Sequence, residues 1–374
     1  MSCSYADGLS HYENKGVLGT PEKFDTEQKV EEKCEILVEW LKNSKHVVVH
    51  TGAGISTSAG IPDFRGPNGV WTLEKEGKKP NINISFNDAI PTKTHMALKR
   101  LTEESYLHYI ISQNIDGLHL RTGIPRSSLA ELHGNMFTAQ CNVCESQFVR
   151  TEATSTVGKK CLNEDCKRSA MLRGRTCRGK LHDTILDWED SLPEYDLEMS
   201  DYHSSVADLN ICLGTTLQIV PSGNLPLRNK KYGGKVVIVN LQSTKHDKKA
   251  DLIINTYVDD VIVKIMKRLG LEIPEYSSEI DPTKYRDSDS VVEWNILKQD
   301  VEKIKLQYDK LIKDYKKRKA EESLLNIKKK MPKSKKWIKE EKIKKEKLVK
   351  KENIVSEDIN IQKKIEDQDD IFVE

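Results

Sequence analysis

The sequence predicts an α/β fold whose main feature is a doubly wound parallel sheet. Several short, β-branched apolar runs each end in small or hydrogen-bonding residues, and helical patterns lie between them. Five of the eight cysteines crowd into one stretch that interrupts this alternation. A Rossmann-like sheet with a small inserted zinc-binding module accounts for these observations. The charge distribution, described below, adds a basic C-terminal tail.

The first predicted elements are a helix and a strand. After a polar N-terminal extension, residues 1–26, apolar side chains recur at helical spacing over residues 27–43: Val30, Cys34, Leu37, Val38 and Leu41. The run His46 to His50 then reads as a buried parallel strand, which ends at the glycine-rich turn Thr51 to Gly54.

Three further strands repeat this design, at residues 107–111, 209–213 and 236–239. They end in the polar segments 112–114, 214–216 and 240–242, and helical patterns cover residues 94–103 and 258–269. Ligands of such sheets bind at the carboxyl ends of the strands. We therefore expect a nucleotide-type site where these polar segments meet.

The inserted module spans about residues 137–183 and contains Cys141 and Cys144, spaced as one half of a zinc site. Cys177 is the expected fourth ligand, and spacing leaves the third open between Cys161 and Cys166. Four thiolates close the tetrahedron around one structural ion. A redox Cys-x2-Cys pair is the weaker interpretation, because further cysteines follow.

The C-terminal hundred residues differ from the body in charge. Residues 309–350 hold 18 Lys and Arg against 7 Asp and Glu, whereas residues 351–374 hold 3 against 8. We predict a linker at 275–290, a helix at 291–327, and a basic, then acidic, disordered tail at 328–374. The helix carries a heptad-like seam from Leu297 to Tyr315, which fits a coiled coil and a single helix, docked on its own body or solvated, equally well.

The sequence disfavours two classes of protein, membrane-spanning proteins and secreted proteins. No run of about 18 apolar residues is present, and the first 30 residues lack an apolar signal region, so we expect no membrane association and an intracellular location. Clustered cysteines favour metal binding in a reducing compartment over disulfides. The lysine-rich segment from Lys328 to Lys336 predicts nuclear localisation or nucleic-acid contact.

The glycine-rich turn Gly52-Ala53-Gly54-Ile55-Ser56 is expected to open a helix and to face a pyrophosphate. The ordinary dinucleotide fingerprint fails, because Thr57 stands at its last position. A standard hydride-transfer dehydrogenase is therefore disfavoured.

Three longer motifs are more specific: Gly60-Ile61-Pro62-Asp63-Phe64-Arg65, Ser112-Gln113-Asn114-Ile115-Asp116-Gly117-Leu118 and Glu131-Leu132-His133-Gly134-Asn135. With the turn, they resemble the sirtuin family of NAD-dependent protein deacylases. Further motifs resemble the chromatin-associated sirtuin six type: Tyr5 to Ser10, Pro67 to Trp71, Ile185 to Asp190 and Pro221 to Pro226. The resemblance covers residues 3–274, and it implies a catalytic domain at about 27–274.

The resemblance implies roles for individual residues. The catalytic group is His133, as general base toward a ribose hydroxyl, with Asn114 and Asp116 in the ribose and nicotinamide pocket. The NAD site is expected to contain, besides these, Gly52, Ala53, Gly54, Ser56, Thr57, Asp63, Phe64, Arg65, Trp71, Gln113, Gly214, Thr215, Thr216, Asn240, Gln242 and Val258. The family spacing favours Cys166 as third zinc ligand, and Trp188 with Asp187 is expected to bind substrate main chain unless Trp188 is simply core.

The function implied by the resemblance is NAD-dependent removal of acetyl and long-chain acyl groups from lysines of histones and other nuclear proteins. Nucleosome or DNA contact through the tail is expected as well. Two alternatives stay open: mono-ADP-ribosyl transfer as the main reaction, and a non-catalytic chromatin-binding module. The oligomeric state, the preferred acyl chain and the target lysine are not predicted.

Overall fold

The computed structural model describes residues 5–6, 8–80, 84–170, 175–284, 292–329, 343–344 and 346. The chain divides into two compact units, Met1–Lys310 and Leu311–Glu374. The second unit continues a helix to Lys329. Most of the predicted disordered tail, including most of the lysine-rich segment, lies outside the described residues.

The strands, in chain order, are β1 (Val47–Thr51), β2 (Tyr109–Ser112), β3 (Leu129–Glu131), β4 (Thr138–Cys141), β5 (Gln147–Val149), β6 (Cys161–Asp165), β7 (Ser169–Ala170), β8 (Arg175–Thr176), β9 (Lys180–Asp183), β10 (Leu209–Leu213), β11 (Lys235–Val239) and β12 (Leu252–Ile254). The helices are α1 (Glu27–Asn43), α2 (Val70–Lys75), α3 (Lys93–Glu103), α4 (Leu118–Arg121), α5 (Glu194–Val206), α6 (Val258–Leu269) and α7 (Lys298–Lys329).

Six parallel strands form the main sheet in the order β12-β11-β10-β1-β2-β3. Strand β1 lies between β2 and β10, so the direction in which successive strands are added to the sheet reverses at β1. In such a sheet a crevice opens at the reversal, between the carboxyl ends of β1 and β10. The four strands predicted from apolar runs are confirmed. Strands β3 and β12 escaped prediction because three residues are too few to show a pattern.

Helices cover both faces of the sheet, as a doubly wound fold requires. Alternate residues of β1 separate the two cores: Val47 and Val49 pack with α1, α3 and α6, whereas Val48 packs with α5. Helix α1 buries the complete apolar stripe that its spacing predicted. The start of α7 adds Val301 and Ile304 to the second core, so this part of the seam docks on its own body.

The inserted module is a four-stranded antiparallel sheet in the order β5-β4-β9-β6. It leaves the main sheet after β3 and returns before α5, within the predicted stretch 137–183. Antiparallel neighbours need only short turns, so this small unit needs no crossover helices.

Two expectations are corrected. The glycine-rich turn opens no α-helix: two 3₁₀ turns follow, Ala53–Ile55 and Thr57–Ala59, and Gly60 ends the second with φ of +85°. The expected helix N-terminus is therefore absent there. The amides of Gly54, Ile55 and Ser56 donate instead to the carbonyls of Gly214, Gly52 and Ala53. The described part of the predicted linker is also packed rather than loose, because Asp281 and Thr283 are buried.

The helix predicted from residue 291 begins at Lys298. Before it, residues 292–295 run beside β5, where Phe148 and Glu293 form an antiparallel bridge. Within the described ranges, no helix is long and apolar enough to span a membrane.

Candidate active site and metal centre

A cavity lies at the crevice between the ends of β1 and β10. Fifteen residues predicted for the NAD site line it: Gly52, Ala53, Gly54, Asp63, Phe64, Arg65, Trp71, Gln113, Asn114, His133, Gly214, Thr215, Thr216, Asn240 and Gln242. The segments that follow β1, β2, β3, β10 and β11 all contribute.

The floor of the cavity is made by two glycine-containing turns in close contact. A Cβ atom on Gly52 would lie 2.7 Å from the carbonyl oxygen of Gly214, and one on Gly54 would lie 2.7 Å from the Cα of Gly214. Gly214 itself has φ of +60°. Glycine at these positions therefore lets the two turns meet, and the Gly54 amide donates to the Gly214 carbonyl at 2.9 Å.

His133 lines the cavity from the loop that follows β3. Its Nδ1 lies 2.9 Å from the backbone oxygen of Gln113, and a carbonyl only accepts, so Nδ1 carries the proton and Nε2 keeps its lone pair. Burial lowers the pKa of His133 to about 4. The imidazole is therefore neutral near pH 7, in the tautomer that a general base requires.

Asn114 and Asp116 meet at the hydroxyl of Ser56. Ser56 Oγ donates to Asp116 Oδ2 at 2.7 Å, and Asn114 Nδ2 donates to Ser56 Oγ at 3.3 Å and to the Gly52 carbonyl at 3.1 Å. Burial raises the pKa of Asp116. Of the three, Asn114 alone lines the cavity; Asp116 and Ser56 lie beneath it and fix the amide.

The segment from Asp63 to Trp71 forms an aromatic and cationic wall. The Arg65 guanidinium lies 4.6 Å from the centre of the Trp71 ring, which contacts Phe64 at a centroid distance of 4.6 Å. The Asp63 carboxylate accepts from the Gly66 amide at 2.8 Å and shapes the turn. Burial lowers the pKa of Arg65 to about 10, so it stays cationic at neutral pH and is suited to a phosphate or ribose.

A second cavity adjoins the first and shares Gly54, Asp63, Gly214, Asn240 and Gln242 with it. Thr57 and Val258, both predicted for the NAD site, line this second cavity. Together the two cavities contact every residue predicted for the cofactor except Ser56 and the underlying Asp116.

Trp188 and Asp187 line neither cavity, but Trp188 contacts Trp71 in the wall of the first cavity. The Trp188 ring lies 5.0 Å from that of Trp71 and stacks on Tyr12 at 4.6 Å. Asp187 accepts a hydrogen bond from the Ser10 amide at 3.1 Å. Trp188 is only partly buried, so the structure places it at the rim of the site rather than in the core.

Sequence reasoning missed several wall residues, namely Tyr5, Gly66, Ile115 and Ile219. Tyr5 and Ile115 belong to motifs that carried the family resemblance, and that was the available signal. Ile219 comes from the loop after β10, where its apolar side chain gave no hint of a binding role.

The metal centre consists of Cys141, Cys144, Cys166 and Cys177, whose sulfur atoms all lie within 4.8 Å of one another. The distances are 3.7 Å from Cys141 to Cys177 and 3.6 Å from Cys144 to Cys166. Tetrahedral zinc with bonds of about 2.3 Å has sulfur separations of about 3.8 Å, so the four thiols fit this ion. Cys161 is exposed and outside the cluster, so the third ligand position belongs to Cys166.

Comparisons with known proteins identify the family of this chain. The Sir2 family model matches residues 78–221. The NAD-dependent protein deacetylase Sirt6 of Drosophila melanogaster is 61% identical over 313 residues, which cover 83% of this chain and 98% of that protein. The NAD-dependent protein deacetylase SRT1 of Arabidopsis thaliana is 48% identical over 74% of this chain and 57% of its own length.

Among solved structures, a Sir2 variant with deacetylated p53 peptide and 3′-O-acetyl ADP-ribose superposes with a TM-score of 0.50. Its sequence identity is 29%, over 64% of this chain and 100% of that one. A chain that spans nearly all of a relative at 61% identity shares its family. This protein therefore belongs to the Sir2 family of NAD-dependent protein deacylases, and its predicted likeness to the Sirt6 type is confirmed.

Proposed function

We propose that this protein is a nuclear deacylase that uses NAD to remove acetyl and long-chain acyl groups from lysine side chains of histone tails. One observation carries the proposal: the two glycine turns and the neutral His133 converge on one cavity at the switch point of the sheet. This is the arrangement needed to hold a dinucleotide and to take a proton from it.

NAD, when bound, supplies a ribose carbon from which nicotinamide departs. The chain's own residues then have separate tasks. His133 Nε2 accepts a proton from a ribose hydroxyl, and the Gln113 carbonyl holds the ring in the tautomer that leaves Nε2 free. Phe64 and Trp71 exclude water from the reacting carbon, and Arg65 beside them binds phosphate or ribose oxygens.

The part of the molecule that a long acyl chain would reach is an apolar cluster beside the cavity. Ile115 belongs both to the cavity wall and to this cluster, which includes Phe86, Met136 and Ile185. The four side chains are packed against one another, with at most 6% of any of them exposed, so a long acyl chain has to displace them in order to enter. The long-chain part of the proposal therefore rests on the resemblance to the sirtuin six type, and each methylene that such a chain buries contributes about 0.8 kcal/mol.

A histone tail is supported by charge at the peptide rim. Asp187, Glu189 and Asp190 surround Trp188 in sequence, and this acidic segment favours a lysine-rich peptide. The tail of the chain is strongly basic over residues 309–350, which suits a nuclear address and contact with nucleosomal DNA.

The test is mass spectrometry of histone-tail peptides that carry acetyl- or myristoyl-lysine, incubated with the full chain, with and without NAD. We expect loss of the acyl group and formation of matching O-acyl-ADP-ribose only with NAD. His133→Tyr should abolish turnover while NAD binding persists. His182→Tyr, on the zinc module, is the matched control and should keep activity.

Absence of turnover on both peptides, despite NAD binding, would refute the proposal. Transfer of ADP-ribose to the protein target would then favour the transferase alternative, and retention of nucleosome binding without any product would favour a binding module. Consumption of NAD without loss of the acyl group from the peptide would likewise favour ADP-ribosyl transfer.

The nuclear address is tested separately. Replacement by glutamine of the six lysines between residues 328 and 336 should move a fluorescent full-length fusion out of the nucleus. The same change at the six lysines between residues 303 and 317 is the control, because it removes equal charge from the preceding helix. Equal nuclear retention of both variants would refute the assignment.

A further inference from the structure

The segment 292–304, here called the strap, follows the catalytic domain in sequence and closes back onto it. Its backbone runs along β5 of the zinc module. The Val149 amide donates to the Val292 carbonyl at 2.9 Å, the Trp294 amide donates to the Gln147 carbonyl at 2.9 Å, and the Gln147 amide donates to Asn295 Oδ1 at 2.7 Å. The strap therefore completes the edge of the module's sheet.

Trp294 is the strap residue that reaches the interior. Its side chain is 5% exposed, and its indole Nε1 donates to Glu131 Oε2 at 2.9 Å. The Trp294 carbonyl accepts from Arg126 Nε at 3.3 Å, and Arg126 pairs with Asp196 at 2.8 Å. Asp196 also accepts from the Glu131 amide at 2.7 Å. These groups form one buried network between the strap, α5 and the end of β3.

Glu131 lies at the base of the loop that carries His133. Its second carboxylate oxygen accepts from Asn135 Nδ2 at 2.5 Å, so the side chain bridges the two ends of the loop 131–135. The Gly134 amide donates to the Glu131 carbonyl at 3.2 Å. His133 thus lies at the tip of a loop whose base is held by one carboxylate with two donors, Asn135 and Trp294.

We infer that Trp294 is a positioning residue for the reaction: through its hydrogen bond to Glu131 it fixes the loop that aims His133 into the cavity. This inference rests on the proposed deacylase function. It also means that a segment beyond the catalytic domain, which the sequence marks as the start of a tail helix, is part of the catalytic architecture.

The physical reason is that a buried carboxylate oxygen without a hydrogen-bond donor is costly in free energy, so the side chain moves or takes up a proton. Without the indole N–H, one Glu131 oxygen loses its partner in a site where water does not replace it. Arg126 and Asp196 are the charged groups that face Glu131, and they are already paired with each other. Burial raises the pKa of Glu131 to about 7, and the Trp294 and Asn135 donors oppose this rise. Loss of Trp294 therefore favours the protonated carboxyl and a relaxed loop.

The test is Trp294→Phe in the full-length enzyme, which keeps an apolar ring and removes the N–H. We expect kcat for acyl-lysine peptide to fall by about 10- to 100-fold, the range for a displaced catalytic group. The KM for NAD should stay within about twofold, because none of the strap residues lines the NAD cavities. Trp40→Phe on α1, where the ring packs on the core under Lys235, is the matched control and should keep wild-type kcat.

A pH profile separates positioning from simple destabilisation. In the wild type, kcat should rise with pH through the ionisation of Glu131. In Trp294→Phe this limb should move to higher pH, since the lost donor no longer favours the ionised form. Glu131→Gln should remove the limb and lower kcat, and the double variant should lose no more than the worse single variant.

The outcomes are distinguishable. An inactive wild type refutes the proposed function itself. An active wild type with unchanged kcat and an unchanged pH limb in Trp294→Phe overturns the inference. If Trp294→Phe fails to fold, Glu131→Gln carries the test because it is isosteric, and wild-type kcat in that variant likewise overturns the inference.

Discussion

Replacement of Asp281 by alanine tests whether residues 275–284 are a structural part of the body. Asp281 is 0% exposed and accepts four hydrogen bonds. One oxygen receives Arg121 Nε at 2.9 Å and the Tyr276 hydroxyl at 2.6 Å, and the other receives the Thr283 amide at 2.8 Å and its hydroxyl at 2.7 Å. Asp281→Ala removes all four and leaves the buried Arg121 without its counter-charge.

The magnitude follows from that unpaired cation. Removal of one partner from a buried ion pair costs about 3–5 kcal/mol. Arg121 keeps hydrogen bonds to the carbonyl oxygens of Phe86 and Ala89, which partly solvate the guanidinium. We therefore expect Asp281→Ala to lower the free energy of unfolding by about 3 kcal/mol, the lower end of that range.

Urea denaturation followed by circular dichroism measures this change, with the slope m compared between variants. Glu76→Ala is the matched control: Glu76 pairs with Lys78 at 2.8 Å, but their side chains are 48% and 67% exposed. Solvent screens such an exposed pair, so its loss should change the free energy of unfolding little. If Asp281→Ala costs no more than Glu76→Ala, the segment is a loose linker and the reasoning is refuted.

Three further predictions follow from the site. Cys166→Ser should lose the bound zinc measured by elemental analysis, whereas Cys161→Ser should retain it; zinc retained in the first variant would contradict the ligand set. Gly134→Ala should abolish activity and cost at least about 2 kcal/mol, because the added Cβ would lie 1.9 Å from a backbone carbonyl. Gly77→Ala, also at positive φ but with open space, should cost only about 1 kcal/mol, and equal costs would refute the steric argument. Burial lowers the pKa of His133 in the folded state from 6.5 to about 4. Between these two values the unfolded chain binds the proton and the folded chain does not, so the free energy of unfolding should fall as the pH drops from 6.5 toward 4. Wild-type and His133→Asn stabilities that fall in parallel over this window would contradict it.

Much of the fold is predictable because its signals are local. The apolar stripe of α1 and the β-branched run of β1 follow from residue spacing, and the structure places both within one residue of the prediction. The glycines at 52 and 54 and the loop of His133 stand in motifs long enough to be identified by resemblance, and Gly214 directly follows an apolar run that predicts a strand. Local periodicity records which face of an element is buried, and a motif records which residue types a site needs.

The sequence by itself determined the fold class, the family and most residues that line the cavity. Cysteine spacing left the third metal ligand open, and the sulfur positions in the tertiary structure decided for Cys166 over Cys161. The tertiary structure also showed that no α-helix follows the glycine turn directly. It showed, finally, that Asp281 and Trp294 belong to the body. The last two depend on hydrogen bonds to partners 160 and 163 residues away in the chain. Contacts at that separation leave no periodic trace in either segment, because each side chain is chosen for a neighbour that only the folded chain brings near.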